Sequence, residues 1–268
     1  MGHAPRSRGN ATARVFTCPD AFRPCDIARQ VQAALLPRAC ANCPGVQVAA
    51  RYQMSAGIGG DLHDFVQGPG DGYALVIGDI LGHELFSSLV MSLIIGAIRA
   101  AGAKAETPLE VLSLVNNLLC ALNDQMRLTP VTCSLFLGLV APNRRRMVYV
   151  NAGHPPPVAW HQDGTMKELA GTAPLLGIRR GLHDDEVVLD LKTMDRLLLY
   201  TDGVSEAHDS AGRFFDTRGI INTMASCHHL GVAAGADHML DRVLAFTGDR
   251  PQDDITLVLA DFQWTRTA

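Results

Sequence analysis

A chain of 268 residues and 28.8 kDa, 47% of them hydrophobic, carries enough apolar material for a sizeable buried core in one large domain or two small ones. Lys+Arg 23 against Asp+Glu 27 leaves a formal charge of -4, which excludes a strong basic field for holding nucleic acid or an anionic membrane, and 6% aromatic residues are too few for a base-stacking platform. The most apolar run, Leu89 to Ile98, is short of the roughly 20 residues that span a bilayer, and the first residues lack a signal peptide's apolar core, so a cytoplasmic location is expected.

Residues 1–25 contain Arg6, Arg8 and Arg14 among Pro, Gly, Ser and Asn without an apolar period, and read as a flexible arm. Within 26–37, Ile27, Val31, Ala34 and Leu35 recur at helical spacing until Pro37 ends the run. This amphipathic helix either packs on the main domain or pairs with a partner's helix as a regulatory or linking element. Seven cysteines, an odd number in a chain that needs no staples, are expected to be reduced thiols. Cys18, Cys25, Cys40 and Cys43 cluster, and Cys40 and Cys43 have the spacing of a zinc knuckle, but no second half completes a metal site.

From residue 45 onward the pattern is one of strands with helices in pairs. Val46–Met54 alternates as a half-buried strand, and Tyr73–Gly78 is apolar throughout, as in a strand buried on both faces. Leu85–Ala101 and Pro108–Met126 are periodic enough for two helices, with Thr107 and Pro108 placed to start the second. Met91–Ile98 reads as core, Asn116 and Asn117 as helix surface. Thr132–Val140 and Met147–Asn151 flank a basic turn, and Val158–His161 and Met166–Leu169 form a second hairpin. Glu186–Leu191 and Arg196–Tyr200 read as strands, Ala233–Thr247 as a helix and Ile255–Phe262 as a final strand. Grouped strands and paired helices predict an α+β fold with antiparallel sheets and outer helices, in a single domain over 45–263.

Four places share one grammar: Gly59-Gly60-Asp61, Gly78-Asp79, Thr201-Asp202-Gly203 and Asp253-Asp254-Ile255-Thr256. Each sets a carboxylate at the edge of an apolar strand beside a glycine or a second carboxylate. Gathered together, such carboxylates repel one another, and with no Lys or Arg beside them the natural neutraliser is a hard divalent cation. Oxygen ligands without a histidine pair favour magnesium or manganese over zinc. No Cys-x5-Arg loop, Gly-x-Ser-x-Gly elbow or Walker loop points to covalent catalysis or nucleotide binding.

In order, Leu36-Pro37, Gly59-Gly60-Asp61-Leu62-His63-Asp64-Phe65, Ile77-Gly78-Asp79-Ile80-Leu81-Gly82-His83, Asn151-Ala152-Gly153-His154-Pro155-Pro156, Leu175-Leu176-Gly177-Ile178, Tyr200-Thr201-Asp202-Gly203-Val204-Ser205-Glu206-Ala207 and Asp253-Asp254-Ile255-Thr256 resemble the bacterial sporulation-stage-II-E branch of the type 2C metal-dependent serine/threonine phosphatases. The resemblance implies a central antiparallel β-sandwich flanked by helices on both faces, with two Mn2+ or Mg2+ ions at one end. It places the metal aspartates on Asp61, Asp79, Asp202 and Asp253 and a backbone carbonyl ligand on Ile80, with Asp254 either a further metal ligand or a neighbour that orients Asp253 or holds a cap. The implied reaction is hydrolysis of phosphoserine or phosphothreonine on a regulatory protein, an anti-sigma-factor antagonist, by metal-activated water. An activating partner, or a homodimer formed through the N-terminal helix, would control it.

His83, four residues after Asp79, is a candidate general acid. His154, in its proline corner, reads as a structural or substrate-side hydrogen-bond donor. The chain departs from the family's pattern at His83-Glu84, where His-Gly is usual, at Phe86-Ser87-Ser88 in place of small alanines, and at His63 in place of an aromatic residue. No arginine stands just before Gly59. Glu84 and the Phe86-Ser87-Ser88 stretch motivate one alternative, a catalytically weak partner-switching module of the same fold; a two-metal phosphohydrolase for small molecules is a further alternative.

Overall fold

From Tyr73 to Ile80 successive side chains point to opposite faces, and both faces are buried, so this strand lies between two cores. The computed structural model describes residues 24–40, 43, 45–55, 57–82, 84–126, 130–143 and 145–262. In chain order they form α1 (Pro24–Leu35), β1 (Val46–Gln53), β2 (Leu62–Gln67), a short 3-10 turn (Pro69–Asp71), β3 (Tyr73–Ile80), α2 (Glu84–Gly102), α3 (Pro108–Gln125), β4 (Cys133–Val140) and β5 (Arg146–Ala152). There follow β6 (Val158–His161), β7 (Met166–Glu168), β8 (Val187–Asp190), β9 (Met194–Tyr200), α4 (Asp202–Ser205), α5 (Asp216–Ser226), α6 (Val232–Thr247) and β10 (Ile255–Phe262). The arm expected over 1–25 falls almost entirely outside the described residues.

Among the described residues the strands make two five-stranded antiparallel sheets, ordered β1-β10-β9-β6-β7 and β2-β3-β4-β5-β8. Tyr73, Leu75, Ile77 and Phe136 of one sheet meet Leu197, Leu199, Val258 and Ala260 of the other in the central core. On the outer face of the β3 sheet, Ala74 and Val76 pack under Met91, Ile94, Ile95 and Ile98 of α2 and Val111 and Val115 of α3. Leu198, Leu257 and Leu259 pack on the opposite side under Ile220, Met224, Met239 and Val243 of α5 and α6. The expected α+β sandwich with helices on both faces is the observed one.

Side-chain parity then positions the site. Along β3 the odd-numbered residues face the central core, and Asp79 is the next odd position after Ile77. Along β10 the even-numbered Val258 and Ala260 face it, which sends Thr256 and Asp254 the same way. On β9 the same face carries Leu197 and Leu199, and Thr201 follows them. Apolar inside positions thus give way to polar ones at one end of the sandwich.

Several elements differ from the sequence reading. β2 was expected only as motif-bearing chain between two strands, because His63 and Asp64 break its apolar pattern, yet both are buried: His63 is 0% and Asp64 3% exposed. His63 lies between the rings of Tyr52 and Phe65 and donates from Nε2 to the Pro37 carbonyl at 2.8 Å, while Asp64 binds Arg99 of α2 at 2.6 Å. α5 was not expected at all; Gly219 weakens its local signal, and its hold comes from burying Ile220 and Met224. Asn116, read as surface, is 1% exposed, its amide donating to the Arg179 carbonyl and its oxygen accepting from the Gly177 amide. α2 is longer than the Leu89–Ile98 run: Leu85–Gly102 has the length and apolarity to cross a membrane, but one side of it is the core layer just described. The expectation that all thiols are reduced is corrected as well. Cys40 and Cys43, with Cα atoms 5.8 Å apart, form a disulfide where the chain from α1 turns into β1 and Cys43 enters the central core.

Candidate active site

The pairing of the strands continues past their ends and brings the four acidic motifs together. Leu62 pairs with Gly78, so Asp61 and Asp79 follow one another off the end of the β2–β3 ladder. On the other sheet, the Thr201 amide donates to the Thr256 carbonyl at 3.0 Å, holding the Asp202 turn against the Asp253-Asp254 turn. The glycines serve close approach here. A Cβ on Gly59 would lie 1.5 Å from Asp254 Oδ2, and one on Gly203 would lie 1.9 Å from the Asp254 carbonyl oxygen. A Cβ on Gly60 would stand 2.7 Å from the Ile80 carbonyl oxygen and 3.1 Å from Asp79 Oδ1, so these two oxygens share one recess. None of the three glycines has a positive φ; space alone requires them.

Hydrogen bonds orient the carboxylates. Thr201 Oγ1 donates to Asp61 Oδ2 at 2.9 Å and accepts from the Thr256 amide at 3.1 Å. Asp254 Oδ1 accepts from the Ser55 amide at 2.8 Å and its hydroxyl at 3.0 Å, and the Asp254 amide donates to Asp253 Oδ1 at 2.7 Å. From α1, the buried Gln32 grips the same loop with both ends of its amide, donating to the Gly59 carbonyl at 3.1 Å and accepting from the Gly59 amide at 3.3 Å.

Among the described residues no Lys or Arg forms an ion pair with Asp61, Asp79, Asp202, Asp253 or Asp254. Burial, followed by repulsion from Asp79, holds the Asp61 carboxyl well above the usual carboxylate range. Burial also pushes Asp79 up to about 7, with Asp202 and Asp253 adding like charge. Asp202 is raised by burial and by Asp253, and Asp254 by burial against the lowering effect of its Ser55 bonds. The sequence-derived site is therefore one cluster: Asp61, Asp79, the Ile80 carbonyl, Asp202, Asp253 and Asp254 meet at the same end. His83 lies outside the described residues.

His154 is 4% exposed and tied into its corner, its Nδ1 2.8 Å from Ser134 Oγ and its backbone in mutual hydrogen bonds with Asn151. Burial pulls its pKa down to about 3, which keeps the ring neutral. Sequence reasoning assigned no role to Thr201 and missed Ser55 and Gln32. Thr201 lies inside a recognised motif, but a lone glutamine on an amphipathic helix carries no signal of its distant partner.

Among the described residues no three His, Cys, Asp or Glu side chains close into a finished metal cage. Asp61 is turned to Thr201, Asp254 to Ser55 and Asp253 to the neighbouring amide. The chemistry of the donors nevertheless fits hard divalent ions: all are oxygens, one is a backbone carbonyl, and burial followed by like charge raises the pKa values of Asp61 and Asp79.

Two antiparallel sheets between helical layers, with carboxylates gathered at one end, are the fold of PP2C domains. The SiaA PP2C domain of Pseudomonas aeruginosa superposes with a TM-score of 0.74 at 20% identity, over 89% of this chain and 95% of that one. The PP2C domain of SpoIIE from Bacillus subtilis gives 0.66 at 18% identity, over 81% and 63%. The sequence model of the family Stage II sporulation protein E (SpoIIE) matches residues 69–263, and the chain belongs to that family. Phosphoserine phosphatase RsbP of Bacillus subtilis (strain 168) is 29% identical over 184 residues, 69% of this chain but 45% of RsbP, so the chain spans less than half that relative's length. Asp61 and α1 precede the family match.

Proposed function

We propose that the chain is a metal-dependent serine/threonine protein phosphatase, hydrolysing phosphoserine or phosphothreonine on a regulatory protein. The observation that carries this reading is the unpaired carboxylate cluster at one end of a SpoIIE-family fold. Asp61, Asp79, Asp202 and Asp253, with the Ile80 carbonyl, would hold two Mn2+ or Mg2+ ions, and Asp254 would brace the Gly59 and Ser55 backbone around them. Bound there, the ions supply positive charge for the phosphoryl oxygens and a water acidic enough to attack phosphorus near neutral pH.

The chain's own residues do the positioning. Thr201 fixes the rotamer of Asp61, and the Gly60 recess keeps Asp79 and the Ile80 carbonyl side by side. His83 is assigned the proton transfer to the leaving serine oxygen. Residues 45–263 constitute the catalytic domain. The 26–37 helix, bound to the Gly59 loop through Gln32, is the place where an activating partner or a second copy would act. An anti-sigma-factor antagonist is the substrate that the resemblance implies, and the acidic, mildly negative chain is read as cytoplasmic, with no nucleic-acid or membrane role.

Hydrolysis of a phosphoserine peptide and of p-nitrophenyl phosphate, measured with Mn2+ and with chelator, tests the reading. Turnover that appears with Mn2+ and stops with chelator is expected, with 5′-nucleotides hydrolysed more slowly than the peptide. Absence of turnover at saturating Mn2+, or a preference for the nucleotide, would overturn it.

A further inference from the structure

We propose that the Cys40–Cys43 pair is a thiol–disulfide exchange site, opened by a dithiol reductant and closed by a disulfide oxidant, and that its state sets how firmly α1 holds the Gly59 loop. The consequence for turnover rests on the phosphatase reading above.

As a mere staple the bond is poorly placed. It joins residues separated by 3 in sequence, and closing so small a loop removes little freedom from the unfolded chain. A chain with the buried cores described above does not depend on that contribution. Its position matters more. Leu36 is buried in the outer core under α2, whereas Cys43 is buried in the central core with Cys40 packed against it, so the chain between α1 and β1 crosses the edge strand β2 from one core to the other. The disulfide holds the two Cα atoms of that crossing 5.8 Å apart. Once it is open, three residues of chain reach up to about 10 Å, and the α1 segment is free to shift against the central core.

That segment carries the grip on the metal-site loop. The Pro37 carbonyl accepts from His63, the Leu35 carbonyl accepts from Arg99 at 2.7 Å, and Gln32 holds both backbone groups of Gly59. Gly59 in turn is pressed on Asp254, where a Cβ would lie 1.5 Å from Oδ2. A change at residue 40 is thus joined to the acidic cluster by one short run of helix and the Gln32 amide.

The pair is also reachable. Cys40 is only partly buried, and both cysteines line a cavity of about 320 Å³ together with Pro37, Asp64, Phe65 and Arg99, room enough for an attacking thiol. Cys120, Cys133 and Cys227, the free thiols among the described residues, are all buried. The exchange balances with two electrons and two protons. A thiolate of the reductant attacks the Cys40 sulfur, the S–S bond breaks, and Cys43 leaves as a thiolate that takes up a proton. The reductant's second thiol then attacks its own sulfur in the mixed disulfide, releasing Cys40 as a thiol and the reductant as a disulfide.

The test equilibrates the full chain over a series of reduced-to-oxidised dithiothreitol ratios, traps it with N-ethylmaleimide and digests it with trypsin. The peptide Ala39–Arg51 carries these two cysteines and no other. Amide exchange of α1 and of the Gly57–Asp61 loop, and the Mn2+ dependence of p-nitrophenyl phosphate hydrolysis, are read on the oxidised and the reduced protein after removal of reagent. The peptide should pass reversibly from disulfide to doubly labelled dithiol. Reduction should speed exchange in both segments and raise the half-saturating Mn2+ concentration about fivefold or more. The double variant Cys40→Ser with Cys43→Ser should match the reduced form whether or not reductant is added. A peptide that never changes state, equal exchange and equal Mn2+ dependence in the two forms, or a reductant response retained by the double variant would each overturn the proposal. If neither form hydrolysed substrate, the phosphatase reading would fall and amide exchange alone would decide: faster α1 exchange on reduction supports the switch, equal exchange refutes it.

Discussion

The β9–β10 pair treats buried charge in opposite ways at its two ends. At one end Arg196, 5% exposed, lies opposite Asp261 and binds it in bidentate fashion at 2.6 and 2.8 Å, with its remaining donors on the Cys227 and Leu230 carbonyls. About 17 Å away along the strands, five residues at ~3.4 Å each, Thr201 and Thr256 lead into Asp202, Asp253 and Asp254, where carboxylates face carboxylates. The same two strands can evidently house a neutralising cation, since they do so at the Arg196 end. Among the described residues the acidic end has no such partner, and burial, with like charge beside it, raises the pKa values of Asp61, Asp79, Asp202 and Asp254; the proposed function assigns the missing charge to bound divalent ions.

The contrast is broken most forcefully at Asp79 and Asp202. Replacing either by Asn is expected to lower Mn2+-dependent kcat by about a thousandfold or more, read in steady-state assays. Removing the other kind of charge should do the reverse. Arg196→Ala strands Asp261 and is expected to cost about 3–5 kcal/mol in urea unfolding, while the protein that remains folded keeps its kcat. The joint replacement Arg196→Met with Asp261→Leu should recover much of that loss.

A pH series on metal-free protein sharpens the comparison. Burial and like charge hold Asp79 near 7 against an ordinary value of 3.8, so the folded state binds its proton more tightly than the unfolded chain. Its contribution is fully present below about pH 4 and is lost as pH rises through 7. His63 and His154, drawn down to about 4 and about 3, act with the opposite sign and cost stability as pH falls below their ordinary 6.5. Asp79→Asn isolates the first effect. The metal-free variant should be more stable than wild type, by a margin that grows from pH 4 to pH 8 to on the order of a few kcal/mol, and saturating Mn2+ should reverse the ranking. The smallest effect is expected at Thr201→Val, which leaves Asp61 and the Thr256 amide without a shared partner. It should cost about 1–2 kcal/mol of stability and several-fold in kcat, the Mn2+ requirement remaining.

How much of this was legible in the chain follows from how local each signal is. The apolar run ending at Gly78-Asp79 announces both a doubly buried strand and the carboxylate at its end, because parity along one strand needs no knowledge of its neighbours. The acidic cluster was likewise readable, since each member sits at the end of such a run beside glycine or a second carboxylate. What escaped depends on distant partners. His63 and Asp64 hid β2 because their burial is made tolerable by Pro37 and Arg99, 26 and 35 residues away. Gln32 and Asn116 look like solvated helix positions until the Gly59 and Gly177 loops close on them. The Cys40–Cys43 disulfide contradicted the reduced thiols inferred from an odd count, because a count carries no information about which two sulfurs a turn brings together.

The acidic end's reservation for cations is tested most directly by calorimetric titration of Mn2+ into metal-free wild-type and Asp79→Asn proteins at neutral pH. Wild type should bind close to two ions per chain with release of protons from the raised carboxylates, and the variant should lose at least one of them. No binding by wild type, or an unchanged isotherm in the variant, would contradict it.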